Sequence, residues 1–164
     1  MELRKRFDPR IVFTGAFVIL LAIYIIVGLQ PAEAVRSYPV SAELSIPALG
    51  LKSDVTEIAP EGRTLPTPDA IVGSYSQAAN KTLLIGHSTT AFERLAGAKL
   101  RDAVEYNGHS YKISKIETRQ KASIDMDKIL ASADEDTIVL MTCAGQLLDG
   151  GDATHRLIIT AVAE

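Results

Sequence analysis

Cysteine occurs once in this chain of 164 residues, at Cys143, and histidine three times, at His87, His109 and His155. One cysteine permits no intramolecular disulfide, and neither residue type gathers into the cluster that a structural zinc site needs. Excess positive charge is also missing. Seventeen Lys and Arg stand against twenty Asp and Glu, for a net charge of -3. The first ten residues hold Arg4, Lys5, Arg6 and Arg10 against Glu2 and Asp8, a local +2, so the remainder is at -5. An acidic folded part excludes nucleic acid as a partner, because phosphate binding depends on clustered Lys and Arg. Internal repeats and low-complexity segments are absent too.

Charge is lacking altogether from Ile11 to Leu29. Nineteen residues at 1.5 Å rise come close to the roughly 30 Å hydrocarbon core of a bilayer, so this stretch reads as a transmembrane helix. Its N-terminal flank is rich in Lys and Arg, whereas 30–40 carries only Glu33 and Arg36. The positive-inside rule therefore leaves residues 1–10 as a cytoplasmic tail and everything after Leu29 outside. A cleaved signal peptide is the rival reading, with small residues at Ala32-Glu33-Ala34, but its apolar region is typically about 7 to 15 residues, shorter than this one. Both readings give the same compartment, and no cysteine follows the helix as a lipid attachment site.

Residues 30–41 contain two prolines and no sustained period, the pattern of a linker. The extracytoplasmic domain, 42–164, has about 120 residues, enough for one core. Short apolar or alternating runs predict eight strands at Ala42–Ile46, Val55–Ala59, Ala70–Tyr75, Thr82–Ile85, Ala103–Tyr106, Ser110–Glu117, Thr137–Thr142 and Leu157–Val162. Asn107-Gly108 between two of them predicts a tight hairpin. Short helices are expected at Phe92–Leu100 and at Ile124–Ala133, the second with Asp125 near its start. The fold class is all-β, a sandwich or a closed barrel.

Three residues stand where such a domain presents chemistry. Cys143 ends the run Thr137-Ile138-Val139-Leu140-Met141-Thr142 and precedes Ala144-Gly145, so the thiol is expected at a strand end beside a loop. His87 closes Thr82-Leu83-Leu84-Ile85-Gly86 in the same way, with a glycine that would let the backbone bend. Arg156 opens the final apolar run, and if the last two strands are antiparallel neighbours it returns beside Cys143. His109 follows the hairpin turn as a solvated residue, and His155 is either a surface residue or a neighbour of the site. Each has a plain structural reading as well: a buried inert thiol, a structural histidine, a solvated arginine.

In combination the residues resemble a family. Gly86-His87, then Leu140-Met141-Thr142-Cys143, then Arg156 leading the terminal strand, follow the order of the sortase signature. Leu44-Ser45-Ile46-Pro47-Ala48-Leu49-Gly50 is similar to the opening segment of that family, and Phe92, Leu95, Asp102 to Tyr106 and Tyr111 fall in matching places. Two departures concern loops. Only Asn80 remains of the Pro-Gly and Gly-Asn that sortases often carry before the His strand, and the Gly that commonly precedes Asp102 is Arg101.

The resemblance implies a closed eight-stranded sortase-like β-barrel with one or two short helices, tethered by the N-terminal helix. It implies a cysteine transpeptidase with Cys143 as nucleophile, His87 as proton carrier and Arg156 as oxyanion partner, and with Thr142 and Ser88 as substrate-binding candidates. Substrates would be surface proteins or pilins bearing a C-terminal Leu-Pro-x-Thr-Gly type motif, and acceptors an amine of a cell-wall precursor or a pilin lysine. No cofactor is required, although calcium assists some sortases and no acidic cluster argues for it here. Rival readings are a thiol hydrolase, an L,D-transpeptidase, whose His-Gly before the cysteine is replaced here by Met141-Thr142, and a non-catalytic scaffold or adhesin.

Overall fold

Continuous apolar runs in this chain belong to strands buried on both faces, and alternating runs to strands with one wet face. In a computed structural model, which describes residues 38–148 and 152–164, eight strands form. They are β1 (Ala42–Ile46), β2 (Leu51–Glu57), β3 (Val72–Ala78), β4 (Lys81–Ile85), β5 (Ala103–Tyr106), β6 (His109–Gln120), β7 (Thr137–Leu147) and β8 (Ala153–Ala163). The expected tail (1–10), membrane helix (11–29) and most of the linker (30–41) lie outside the described residues. Among the described residues no helix is long and apolar enough to cross a membrane.

The strands close into a barrel in the order β1-β2-β3-β4-β7-β8-β6-β5, with β5 returning to β1. Pairs β2–β3 and β4–β7 are parallel and the others antiparallel. A parallel pair needs a crossover rather than a hairpin. The β4–β7 crossover holds β5, β6 and the one α-helix among the described residues, α1 (Met126–Leu130).

Side-chain alternation separates two apolar layers. Leu44, Val55, Val72, Leu84, Val104, Ile113, Leu140 and Ile159, one or more from every strand, meet inside the barrel, where Phe92 and Leu95 are also buried. Leu83, Ile85, Val139 and Ile158 point the other way and gather outside with Ile58. Leu65 and, around α1, Ile124, Met126, Ile129 and Leu130 pack against that outer layer. This second layer is why β4 and β7 read as unbroken apolar runs.

The eight expected strands are present, with shifted ends. Asn107 (φ 49°) and Gly108 (φ 79°) make the predicted hairpin and set Tyr106 opposite His109. Asp125 caps α1 by accepting from the Lys128 amide at 3.4 Å. The helix expected over Phe92–Leu100 is reduced to a 3-10 turn at Leu95–Gly97, because Phe92 and Leu95 are drawn into the barrel core. The largest difference lies at the end of β7. This strand runs past Cys143 to Leu147, and β8 starts three residues before Arg156. Gly145 (φ 79°), a loop residue by its sequence context, instead forms an irregularity between the pairs Ala144–His155 and Leu147–Ala153, so the ladder continues through it.

Arg101 occupies the left-handed region at φ 74° while its amide donates to Ile113 O at 2.8 Å. A non-glycine residue there costs roughly 1–2 kcal/mol. This is the position where the resemblance led to an expectation of glycine. Arg101→Gly should therefore raise unfolding stability by about 1 kcal/mol, read by urea denaturation.

Tyr111, 4% exposed, donates to Asp136 Oδ2 at 3.0 Å and ties β6 to the lead-in of β7. Burial, then the Asp136 bond, push its phenol up from 10.0 to about 12. Between these values the unfolded chain binds fewer protons than the folded one, so stability falls as pH rises from about 10 to 12. The Tyr111→Phe variant should lose roughly 2 kcal/mol less than the parent across that window, measured by urea denaturation at each pH.

Candidate active site

The register of three adjacent strands assembles the site. In the parallel ladder Ile85 lies opposite Met141, and in the antiparallel one Met141 lies opposite Ile158. Two residues further along, Cys143 is opposite Arg156. His87 lies two residues beyond Ile85, past the last pair of that ladder, and an extension of the β4 offset would bring it level with Cys143. On that extension His87, Cys143 and Arg156 fall in one row, the first just past the end of β4 and the others paired across β7 and β8. By alternation the row shares the outer face of Ile85, Met141 and Ile158. All three of its members are half-buried.

Between these rows runs a bond that fixes the spacing. Thr142 is buried, and its Oγ1 donates to Gly86 O at 2.7 Å, while the Gly86 amide donates to Met141 O at 3.4 Å. Each strand's site residue is therefore preceded by a residue hydrogen-bonded to the other strand. Thr142, a substrate-binding candidate from sequence, already has its hydroxyl committed within the fold. Ser88 follows His87 as a half-buried residue in a turn whose first carbonyl, His87 O, accepts from Thr90 N (3.3 Å) and Phe92 N (3.0 Å).

Gly86 does not adopt a positive φ. Its requirement is space: a Cβ there would lie 2.9 Å from Phe92 Cδ2 and 3.2 Å from Ala91 Cβ. The aromatic ring packs against the backbone just ahead of His87. Gly145 is constrained twice, by its φ and because a Cβ would meet His155 Nδ1 at 2.7 Å and Thr154 Oγ1 at 2.8 Å.

Arg156 has 15% of its side chain exposed. Nη1 donates to Ala153 O (3.0 Å) and His155 O (2.9 Å), and Nη2 to Asp152 Oδ1 (2.7 Å). A guanidinium has five N–H bonds, so among the described residues the Nε–H and one on Nη2 remain for another acceptor. Asp152 also accepts from Lys121 Nζ and from the Ala153 amide at 2.8 Å. Lys121, then Arg156 and the Ala153 amide, hold its carboxyl well below the usual carboxylate range. The row continues past Arg156 to Arg119 on β6, which donates to Glu117 at 2.8 Å. His155 lies opposite Ala144, one step from the row, with Nδ1 2.8 Å from Thr154 Oγ1, whereas His109 is exposed.

A concavity of about 780 Å³ lies near the site, lined in part by Gln120, Lys121, Gln146, Thr154 and His155. Cys143, His87 and Arg156 are not in its wall. Among the described residues no three His, Cys, Asp or Glu side chains converge as metal ligands. Sequence reasoning missed Asp152 and Lys121. An acid four residues ahead of Arg156 was the one local signal, and Lys121, 31 residues from Asp152, becomes visible only through the β6–β8 register.

The barrel carries a half-buried thiol opposite an arginine, with a histidine two residues past the end of the neighbouring strand. The sortase domain family matches residues 44–164, and the chain belongs to the sortase family. Similar solved structures include a lid mutant of sortase A from Corynebacterium diphtheriae, with 24% identity, TM-score 0.61, and coverage of 83% of this chain and 75% of that one. Sortase C-1 from Actinomyces oris has 22% identity, TM-score 0.58, and coverage of 77% and 72%. Sortase A from Listeria monocytogenes has 14% identity, TM-score 0.58, and coverage of 76% and 87%. At these identities the likeness is one of fold, and A-type and C-type structures resemble the chain about equally. No curated protein sequence matches it.

Thr142→Val keeps the shape and leaves Gly86 O without its partner, at a cost of roughly 1–3 kcal/mol. The expected outcome is that loss in urea denaturation, together with a changed rate of Cys143 alkylation by iodoacetamide in the folded protein.

Proposed function

We propose that this protein is a membrane-tethered cysteine transpeptidase, acting outside the cytoplasmic membrane. It would cleave a C-terminal sorting motif of the Leu-Pro-x-Thr-Gly type and transfer the new acyl group to an amine. The observation that carries this reading is the pairing of Cys143 with Arg156 across β7 and β8, with His87 two residues past the β4 end of the adjoining parallel ladder.

Each residue type suits its place. The Cys143 thiolate attacks the threonine carbonyl carbon, and the carbonyl oxygen becomes an oxyanion. Arg156 stays protonated and offers the two N–H bonds that the fold leaves over, a contribution that reaches roughly 3 kcal/mol for a well-aimed donor. As the scissile C–N bond breaks, His87 gives a proton to the departing amine, leaving a thioester on Sγ. An incoming amine attacks that thioester, His87 takes its proton, and the thiolate is released as the new amide forms. Both halves need one group that accepts and donates a proton near neutral pH, which is the property of imidazole.

The substrates are surface proteins or pilins, and the acceptor is an amine of a cell-wall precursor or a pilin lysine. With a cytoplasmic tail at 1–10 and a span at 11–29, the enzyme meets membrane-held substrates at raised effective concentration.

The test is incubation of the full-length protein with a sorting-motif peptide and an amine, followed by mass spectrometry. A ligated peptide and a trapped Cys143 thioester are expected. Free acid in place of ligation would replace transfer by hydrolysis, and no cleavage would return the protein to a scaffold role. Cys143→Ala should abolish the thioester. Arg156→Lys should lower kcat by about 10²-fold in a protein that still folds, because lysine cannot reproduce the planar fork.

A further inference from the structure

Among the described residues, Asp152 is the one acidic side chain in contact with the Arg156 guanidinium. Its own freedom is removed by two further donors. Lys121, in the 3-10 turn after β6, binds Oδ2, and the amide of Ala153 binds Oδ1. The carboxylate therefore joins the start of β8 to the end of β6 and holds one N–H of Arg156 from a fixed point. The two carbonyls that accept from Nη1, those of Ala153 and His155, belong to the same stretch of β8. Three of the five N–H bonds are thus directed along the protein's own backbone and at Asp152, which determines which two remain.

We infer that Asp152, braced by Lys121, is a positioning residue for Arg156: it sets the rotation of the guanidinium so that Nε–H and the second Nη2–H are left for an oxyanion formed at Cys143. This rests on the transpeptidase reading. A neutral amide at position 152 presents a weaker acceptor and also an NH₂ donor facing a cation, so the guanidinium loses its anchor. A longer arm with the charge retained preserves most of it.

The experiment uses the full-length protein and the variants Asp152→Asn, Asp152→Glu and Lys121→Met. Thioester formation with a sorting-motif peptide should show kcat reduced about tenfold in Asp152→Asn, less than the roughly 10²-fold that a 1 Å misplacement can cost, and KM changed by less than about twofold. Asp152→Glu should recover most of that loss, and Lys121→Met should fall between. Equal kcat in Asp152→Asn and the parent, or a glutamate variant no better than the asparagine one, would overturn the proposal. A second readout needs no turnover. The ¹⁵N–¹H resonance of Arg156 Nε, assigned by its loss in Arg156→Lys, should move and its proton should exchange faster with water in Asp152→Asn. An unmoved resonance overturns the positioning role, whereas a parent protein that forms no thioester but shows the shift overturns only the transpeptidase reading.

Discussion

Strand β7 sits between a parallel neighbour and an antiparallel one, and the rest of the site depends on that placement. A parallel ladder carries residues of β4 and β7 forward together, so the residues after Ile85 and those after Met141 reach the same level. The antiparallel ladder with β8 then brings a residue from later in the chain to that level. Side chains two residues apart share a face, so the apolar row beneath and the polar row above are consecutive turns of one pattern. In the lower row Ile85 and Ile158 are buried in the layer around α1 with Met141 packed partly buried against them, and the upper row is half-buried.

A register of this kind is specified by burial, because a slip of one residue would turn Leu84 and Leu140 outward and Leu83 and Val139 inward. Here both layers are apolar, so the hydrophobic pattern alone discriminates weakly between the two settings. Polar groups supply the missing information. Thr142 Oγ1 finds Gly86 O in one register only, and Asn80 bonds with Ala133 at the other end of the same ladder. Gly86 permits Phe92 to approach, which anchors the turn after His87 to the barrel core.

Much of this is legible in the chain because the signals are local. Strand positions follow from apolar runs, the hairpin from Asn107-Gly108, the start of α1 from Asp125, and the neighbourhood of Cys143 and Arg156 from an antiparallel assumption that the ladder bears out. Where sequence reasoning fails, the deciding contact is distant or the residue has two meanings. Gly145 marks a loop in most sequences but here sustains a ladder, so Cys143 and Arg156 lie within a continuous ribbon rather than at its ends. Gly86 suggests a bend and is a place of close packing. Lys121 and Asp152 carry no local pattern, since their meeting requires β6 and β8 to pair first.

The parallel pairing of β4 with β7 has a kinetic side. Gly86 and Thr142 are 56 residues apart, and β5, β6 and α1 lie in the chain between them. Closing so long a loop costs entropy that is recovered only when the ladder forms, and topologies dominated by non-local contacts fold slowly. Cys143 meets Arg156 through the local β7–β8 pairing, whereas the segment that ends in His87 reaches β7 only through the long β4–β7 closure. The surroundings of the lone cysteine are thus assembled from one near and one distant stretch of the chain.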